Sequence, residues 1–159
     1  MLQEFKNFIL FVFVFFIVSV SFAQENQGYE DYKKGKYHQA FKKLKGPAEN
    51  GDPKAQLYIG MMYHIGTGVA QNEKEAVKWL KLASEQKNTT AMKTLANILF
   101  DNQKEEKDVI MAYVWSSLAI EYSDQASTHT KNLITQYLDE NQKEEGEKII
   151  RQYKNKWSR

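Results

Sequence analysis

The sequence predicts an all-α fold: a right-handed α-solenoid of antiparallel two-helix repeats of 36 residues, closed by a C-terminal capping helix pair. Three observations carry this expectation. Shifted by 36 residues, the chain aligns with itself without gaps: Ala40, Ala76 and Ala112 coincide, Phe41 falls on Val77 and Tyr113, Ala55 on Ala91, Trp79 on Trp115 and Ala83 on Ala119. Side chains that start helices recur at the same shift, Asp52 with Asn88 and Asn72 with Asp108. Apolar or small residues return every three or four positions, as in Ala55, Ile59 and Met62 or Ala76, Leu80 and Ala83. A unit with one such face hides it only by stacking on the next.

Residues 1–23 have the order of a secretory signal peptide. Lys6 lies in a short start segment, Phe8 to Val20 is nearly all Phe, Val, Ile and Leu, and Ser21-Phe22-Ala23 puts small residues where a cleavage site needs them. The expected cut follows Ala23, so the protein is expected to be exported, to the periplasm or as a secreted protein. It meets a membrane only through this leader, if the leader is not cleaved; the apolar run is short of the about 20 residues that span a bilayer. Seven of the nine Phe lie in the leader, so the mature core is left to Ala, Leu, Ile, Tyr and Trp.

The remaining elements follow in order. Residues 24–34 form an N-terminal segment, 35–122 the repeat solenoid and 123–159 the capping helices. Helices are expected over about 36–49, 53–64, 73–86, 89–101 and 108–121. Pro53 suits a first turn, where the N–H it lacks has no partner. Asn72 followed by Glu75 makes a box-like cap. Gly66-Thr67-Gly68 follows a helix and precedes Val69-Ala70, whereas a phosphate loop follows a strand and carries Lys-Ser/Thr. These glycines are therefore expected at positive φ, reversing the chain. Asn102-Gln103-Lys104 stands where the second unit should repeat them. Near the end, Asp139 with Gln142 caps a helix whose acidic residues come early and whose Arg151, Lys154 and Lys156 come late, with Ile149, Ile150, Tyr153 and Trp157 as its buried stripe.

Three stretches resemble the Sel-one-like repeat (SLR), a relative of the tetratricopeptide repeat. They are Ala-Gln-Leu-Tyr-Ile-Gly-Met-Met-Tyr at 55–63, Gly66-x-Gly68-Val69, and Glu75-Ala76-x-x-Trp79-x-x-x-Ala83. The resemblance covers 35–86 and, with the glycine loop replaced, 89–121; the tail from Leu133 to Trp157 resembles the closing helix pair of exported family members. It implies a protein that binds other proteins and has no enzymatic activity of its own.

The side chains agree with that implication. There is no Cys, hence no disulfide and no Cys-based metal site. His38, His64 and His129 share no ligand spacing, and nothing resembles a nucleophile elbow, so no catalytic, cofactor-binding or metal residue is assigned. Lys+Arg 22 against Asp+Glu 20 leaves a net charge of +2, too balanced to argue for nucleic acid. The first helix of each repeat is termed A (53–64 and 89–101) and the second B (36–49, 73–86 and 108–121). If the packed face of the first A helix uses Ala55, Ile59 and Met62, then Leu57, Met61 and His64 point toward a groove, extended by their repeat equivalents Lys93, Asn97 and Phe100. Those six residues are the expected site for a protein or peptide partner. A second surface is the lysine-rich helix at 33–45, where Lys33, Lys34, Lys36, Lys42, Lys43 and Lys45 occur with no acidic residue between them and suit an anionic surface. The sequence thus reads as an exported adaptor or scaffold. The alternatives are an accessory or inhibitor of a cell-wall-acting enzyme in the bacterial envelope and a hydrolase, for which no catalytic cluster is visible.

Overall fold

In the computed structural model, residues 6, 7, 11, 12, 27–102, 105–122 and 124–158 are described. The leader, with its expected cut after Ala23, lies almost wholly outside them. Helix α1 covers 27–33, followed by α2 (Tyr37–Glu49), α3 (Pro53–Ile65), α4 (Glu73–Glu85), α5 (Thr89–Asn102), α6 (Glu106–Glu121), α7 (Ser127–Thr135) and α8 (Glu140–Trp157). No strand occurs among the described residues, and no helix there is long and apolar enough to cross a membrane.

Local chemistry sets most of the boundaries. Asp52 accepts from the Ala55 N–H, Asn72 from Glu75 N at 3.2 Å and Asn88 from Ala91 N at 3.0 Å, so three successive helices start on a short polar side chain. Two expected caps differ in detail. The Asn72 N–H goes to the Tyr63 carbonyl at 2.9 Å, which frees the Glu75 carboxylate to accept from Trp79 Nε1 at 3.1 Å instead of closing a box. Helix α6 begins two residues before 108, so Asp108 lies in its first turn and reaches back to Glu105 N at 3.2 Å. Carboxylates at 106 and 108 then sit at the positive end of the helix dipole. The cap on α8 is as expected, with Asp139 and Gln142 each accepting from the other's N–H, both at 2.8 Å.

Packing runs in series: α2 on α3, α3 on α4, α4 on α5, α5 on α6, and α6 on both α7 and α8. Small residues form the seam. Ala40, Ala55, Ala76, Ala83, Ala91, Ala112 and Ala119 are all fully buried, and a Cβ at Gly60 would come within 2.7 Å of Leu80 Cγ. Large side chains fill the space between units. One cluster joins Tyr29, Leu44, Ala48, Ala55, Ile59 and Trp79; the other includes Leu80, Met92, Leu95, Trp115, Leu118, Ile134 and Ile150.

Two elements go beyond the expectation. The N-terminal segment is helical from 27, because α1 has partners to fold against: Tyr29 donates to Asp52 Oδ1 at 3.1 Å, and buried Asp31 pairs with Lys43. Both helices of the terminal pair lie within 123–159, the first starting at Ser127, ahead of the Leu133–Trp157 stretch that carries the resemblance, and α7 stands at the repeat position of a third A helix. Ser127 and Ile134, each 36 residues beyond Ala91 and Ile98, are fully buried as Ile134's counterpart Met62 is.

Helix α8 reaches back across α6 to the end of α4. Trp157 Nε1 donates to the Glu85 carbonyl at 2.9 Å, Tyr153 OH to the Glu85 carboxylate at 3.5 Å, and Tyr113 OH to Glu147 at 2.7 Å. Burial first, then the neighbouring carboxylate, pushes the Tyr113 hydroxyl from about 10 up to about 12, and burial with Glu85 does the same to Tyr153. A phenol whose pKa is raised on folding stabilises the fold below its unfolded value and loses that contribution as pH rises through the folded value. Stability measured by urea titration is therefore expected to hold to about pH 10 and to fall between about 10 and about 12. Tyr113→Phe should flatten that fall.

Trp79 sits between units, 8% exposed against Ala55, Ile59 and Leu44. Trp79→Ala should cost about 3 to 5 kcal/mol in chemical denaturation, the range for truncating a buried aromatic. A loss under about 1 kcal/mol would mean that the stack does not depend on this contact.

Candidate partner-binding face

The glycine loop between α3 and α4 is a turn with its groups already engaged. Gly66 and Gly68 hold φ of 81° and 76°. Gly66 N and Thr67 N both donate to the Met62 carbonyl, at 2.9 and 3.1 Å, and Gln71 Nε2 donates to the His64 carbonyl at 2.8 Å. On its other side the loop lies against the start of α2. A Cβ at Gly68 would be 2.5 Å from the Tyr37 carbonyl, and the Gly68 carbonyl accepts from His38 Nδ1 at 3.3 Å. The loop thus binds one repeat to the previous one and leaves no cradle for phosphate. Its counterpart in the second unit includes residues 103 and 104, which lie outside the described residues. Gly68→Ala should destabilise by about 1 to 3 kcal/mol from the left-handed backbone alone, with the clash added. Gly51→Ala, at φ 97° with nothing within 4 Å, should lose only the backbone part in the same denaturation series.

The six expected partner residues divide. Leu57 is buried in the core beside Leu80 and Met92, and Phe100 is buried with its ring edge-on to Tyr137 at 5.2 Å. Both lie on the flank of an A helix that turns toward the next A helix, so the neighbour covers them. Met61, His64, Lys93 and Asn97 are half-buried. Asn97 Oδ1 accepts from Thr130 Oγ1 at 3.3 Å, which places α7 alongside α5. His64 Nδ1 is buried and finds no hydrogen-bond partner among the described residues.

Three exposed apolar residues outside that set stand at equivalent repeat positions. Successive 36-residue shifts take Met61 to Asn97 and then to Leu133, and Ile65 to Asp101 and then to Tyr137. Ile65, Leu133 and Tyr137 are 56%, 39% and 57% exposed. Ile65 follows Met61 by one turn of α3, so the two share a side of that helix, whereas Tyr137 lies in the turn just beyond the end of α7. The signal was present in the repeat register. It was missed because α7 had not been recognised as a third A helix.

The lysine-rich segment is less free than its sequence suggests. Lys33 pairs with Glu30 at 2.9 Å, Lys43 with Asp31 and Lys45 with Glu49 at 3.9 Å, which neutralises half of the run. Two cavities lie between packed helices, one lined from α4, α5 and α6 and the other from α4, α6 and α8. One of about 320 Å³ is lined by Lys74, Val77, Leu99 and Asn102 among others, and one of about 350 Å³ by Lys81, Met111, Tyr153 and Lys156 among others. Among the described residues no group of three His, Asp or Glu could hold a metal ion.

With this geometry in view, the chain can be set beside known proteins. Residues 53–88 match the family model of the Sel1 repeat. Among solved structures, the chain is similar to a protective antigen of uropathogenic Escherichia coli strains that displays an SLR fold, with 25% identity, a TM-score of 0.76 and coverage of 84% of this chain and 29% of that one. It is also similar to a Sel1 repeat protein from Oxalobacter formigenes, with 30% identity, a TM-score of 0.62 and coverage of 71% and 48%. The chain therefore spans less than half the length of either. No curated protein matches it.

Proposed function

Since the chain carries a Sel1 repeat within an SLR-fold helical stack, and such repeats mediate protein–protein interaction, we propose that it is an exported, non-enzymatic adaptor that holds a polypeptide segment along its A helices. The observation that carries this reading is the alignment of equivalent A positions. Met61, Asn97 and Leu133 form one row and Ile65, Asp101 and Tyr137 the next, and three of these residues are exposed and apolar. Single exposed apolar residues are ordinary on a protein surface; their gathering in two adjacent repeat positions, in the first and last units with polar Asn97 and Asp101 between, is what favours a binding strip. His64 and Lys93 flank the strip and supply polar contacts at its edge. A helix or extended peptide with apolar side chains suits such a surface. Export rests on the leader-like start of the sequence, and the similarity to a bacterial antigen supports it.

Cross-linking capture from the cell envelope and the medium, with the chain as bait, tests the reading. Met61→Glu combined with Asn97→Arg should lower capture of the recovered partner by about tenfold or more while circular dichroism still shows the folded helical stack; a lowered melting temperature is expected, because Met61 packs against the core and Asn97 bonds Thr130. Wild-type capture by a folded double variant would show that this face is not the surface used.

A further inference from the structure

Six of the nine tyrosines form two contrasting sets. Tyr29, Tyr113 and Tyr153 each donate a hydroxyl hydrogen bond to a carboxylate, on Asp52, Glu147 and Glu85. Tyr32, Tyr37 and Tyr58 instead gather around the turn between α1 and α2. Tyr32 stands edge-on to both others, with centroids 5.3 Å from Tyr37 and 4.8 Å from Tyr58. Their hydroxyls make no hydrogen bond among the described residues. Burial, then the nearness of the Tyr37 and Tyr58 hydroxyls, pushes the Tyr32 hydroxyl above its usual range and keeps it a donor.

The charge around this cluster is one-sided. Residues 27–58 carry seven lysines and four acidic residues. Those nearest the tyrosines are engaged: Glu30 by Lys33, Asp31 by Lys43, and Asp52 by the start of α3 and Tyr29. Lys34, Lys36 and Lys54 make no ion pair among the described residues, Lys54 lying instead over the Tyr29 ring at 4.0 Å. Donors are in surplus here, and acceptors are used up.

We propose that Tyr32, Tyr37 and Tyr58, with Lys34 and Lys36, form a docking site for an acidic stretch of a partner protein. Carboxylates from outside then take the place that Asp52, Glu147 and Glu85 fill for the other tyrosines. Charge-assisted hydrogen bonds from phenol and ammonium groups to carboxylate are the strong kind. Tyr32 and Tyr58 are half-buried between α1 and α3, within reach of a side chain carried on a peptide, whereas a flat lipid surface meets only the exposed lysines. Tyr58 lies one turn before Met61, so the site stands at the α1 end of the proposed A face. The inference rests on that reading, because the acidic stretch is part of the same held segment.

The experiment uses the full mature chain and a labelled Glu-rich peptide, followed by fluorescence anisotropy across a salt series. Saturable binding that weakens with salt is expected. The variant Tyr32→Phe with Tyr37→Phe and Tyr58→Phe keeps the rings and removes only the hydroxyls; it should bind about tenfold more weakly, as should Lys34→Glu with Lys36→Glu. Absence of binding, unchanged affinity in the folded triple variant, or tyrosine-dependent binding of phosphatidylglycerol vesicles without the peptide overturns the proposal. If partner capture depends on Met61 and Asn97 while the peptide is ignored, this inference falls and the adaptor reading stands. If the peptide binds at the tyrosines while the groove variant captures its partner normally, the A-face reading falls instead.

Discussion

Close approach between helices is the constraint on which the rest of this structure depends. Ala55 and Ala91 on the A helices, and Ala76, Ala83, Ala112 and Ala119 on the B helices, are fully buried, and Gly60 leaves no room for a side chain against Leu80. A methyl group or hydrogen at these positions lets helix backbones come near enough for Met62, Leu80, Leu95 and Trp115 to interlock around them. The same residues recur at a fixed interval, so each helix pair meets the next in much the same way. A row of equivalent side chains on the A helices is the geometric consequence, and the candidate binding face is such a row.

How much of this was legible in the sequence depended on how far each residue's partner lies along the chain. The caps at Asp52, Asn72 and Asn88 bond within three residues, and the positive φ of Gly66 and Gly68 serves a local turn, so pattern alone revealed them. Helix α1 was not legible. Seven polar and aromatic residues carry little apolar periodicity, and Tyr29 and Asp31 become buried only when Asp52 and Lys43 arrive from later elements. Helix α7 keeps just Ser127 and Ile134 in the repeat register, amid Thr, His, Lys and Asn, too few matches to stand out. Asp108 was mistaken for a cap because position in a repeat does not fix a role when the helix starts two residues earlier.

The candidate face shows the same limit in a sharper form. A helical wheel separates residues facing the B helix from those facing away, and on that basis Leu57 and Phe100 belonged with Met61 and Asn97. In a stack, however, an A helix has neighbours on its flanks as well. Leu57 packs into the core shared with α5, and Phe100 is covered with Tyr137 on its ring, so the strip open to a partner is narrower than the half-wheel and lies nearer Met61, Ile65, Leu133 and Tyr137. The burial of a flank residue is a property of the pair of repeats. No single repeat encodes it.

Charge adds direction to that strip. The total of +2 is nearly neutral, yet residues 27–58 hold seven Lys against four acidic residues, while residues 101–147 hold eleven acidic residues against four Lys. The balance of the whole chain therefore conceals a separation along the stack, with positive charge at the α1 end and negative charge toward α6 and the start of α8. Pairing inside the protein reduces both ends without abolishing them: Lys33, Lys43 and Lys45 are engaged near α1, and Glu105 pairs with Lys107 at 2.7 Å and Glu140 with Lys143 at 2.8 Å toward α6 and α8. In the proposed binding mode a segment along the A helices would meet positive charge at its α1 end and negative charge at the other, and the apolar contacts at Met61, Ile65, Leu133 and Tyr137 would not by themselves distinguish one orientation from its reverse. Electrostatic complementarity supplies that distinction, because the wrong orientation sets like charges against each other at both ends. In that proposal the apolar residues supply the grip and the charge separation supplies the orientation.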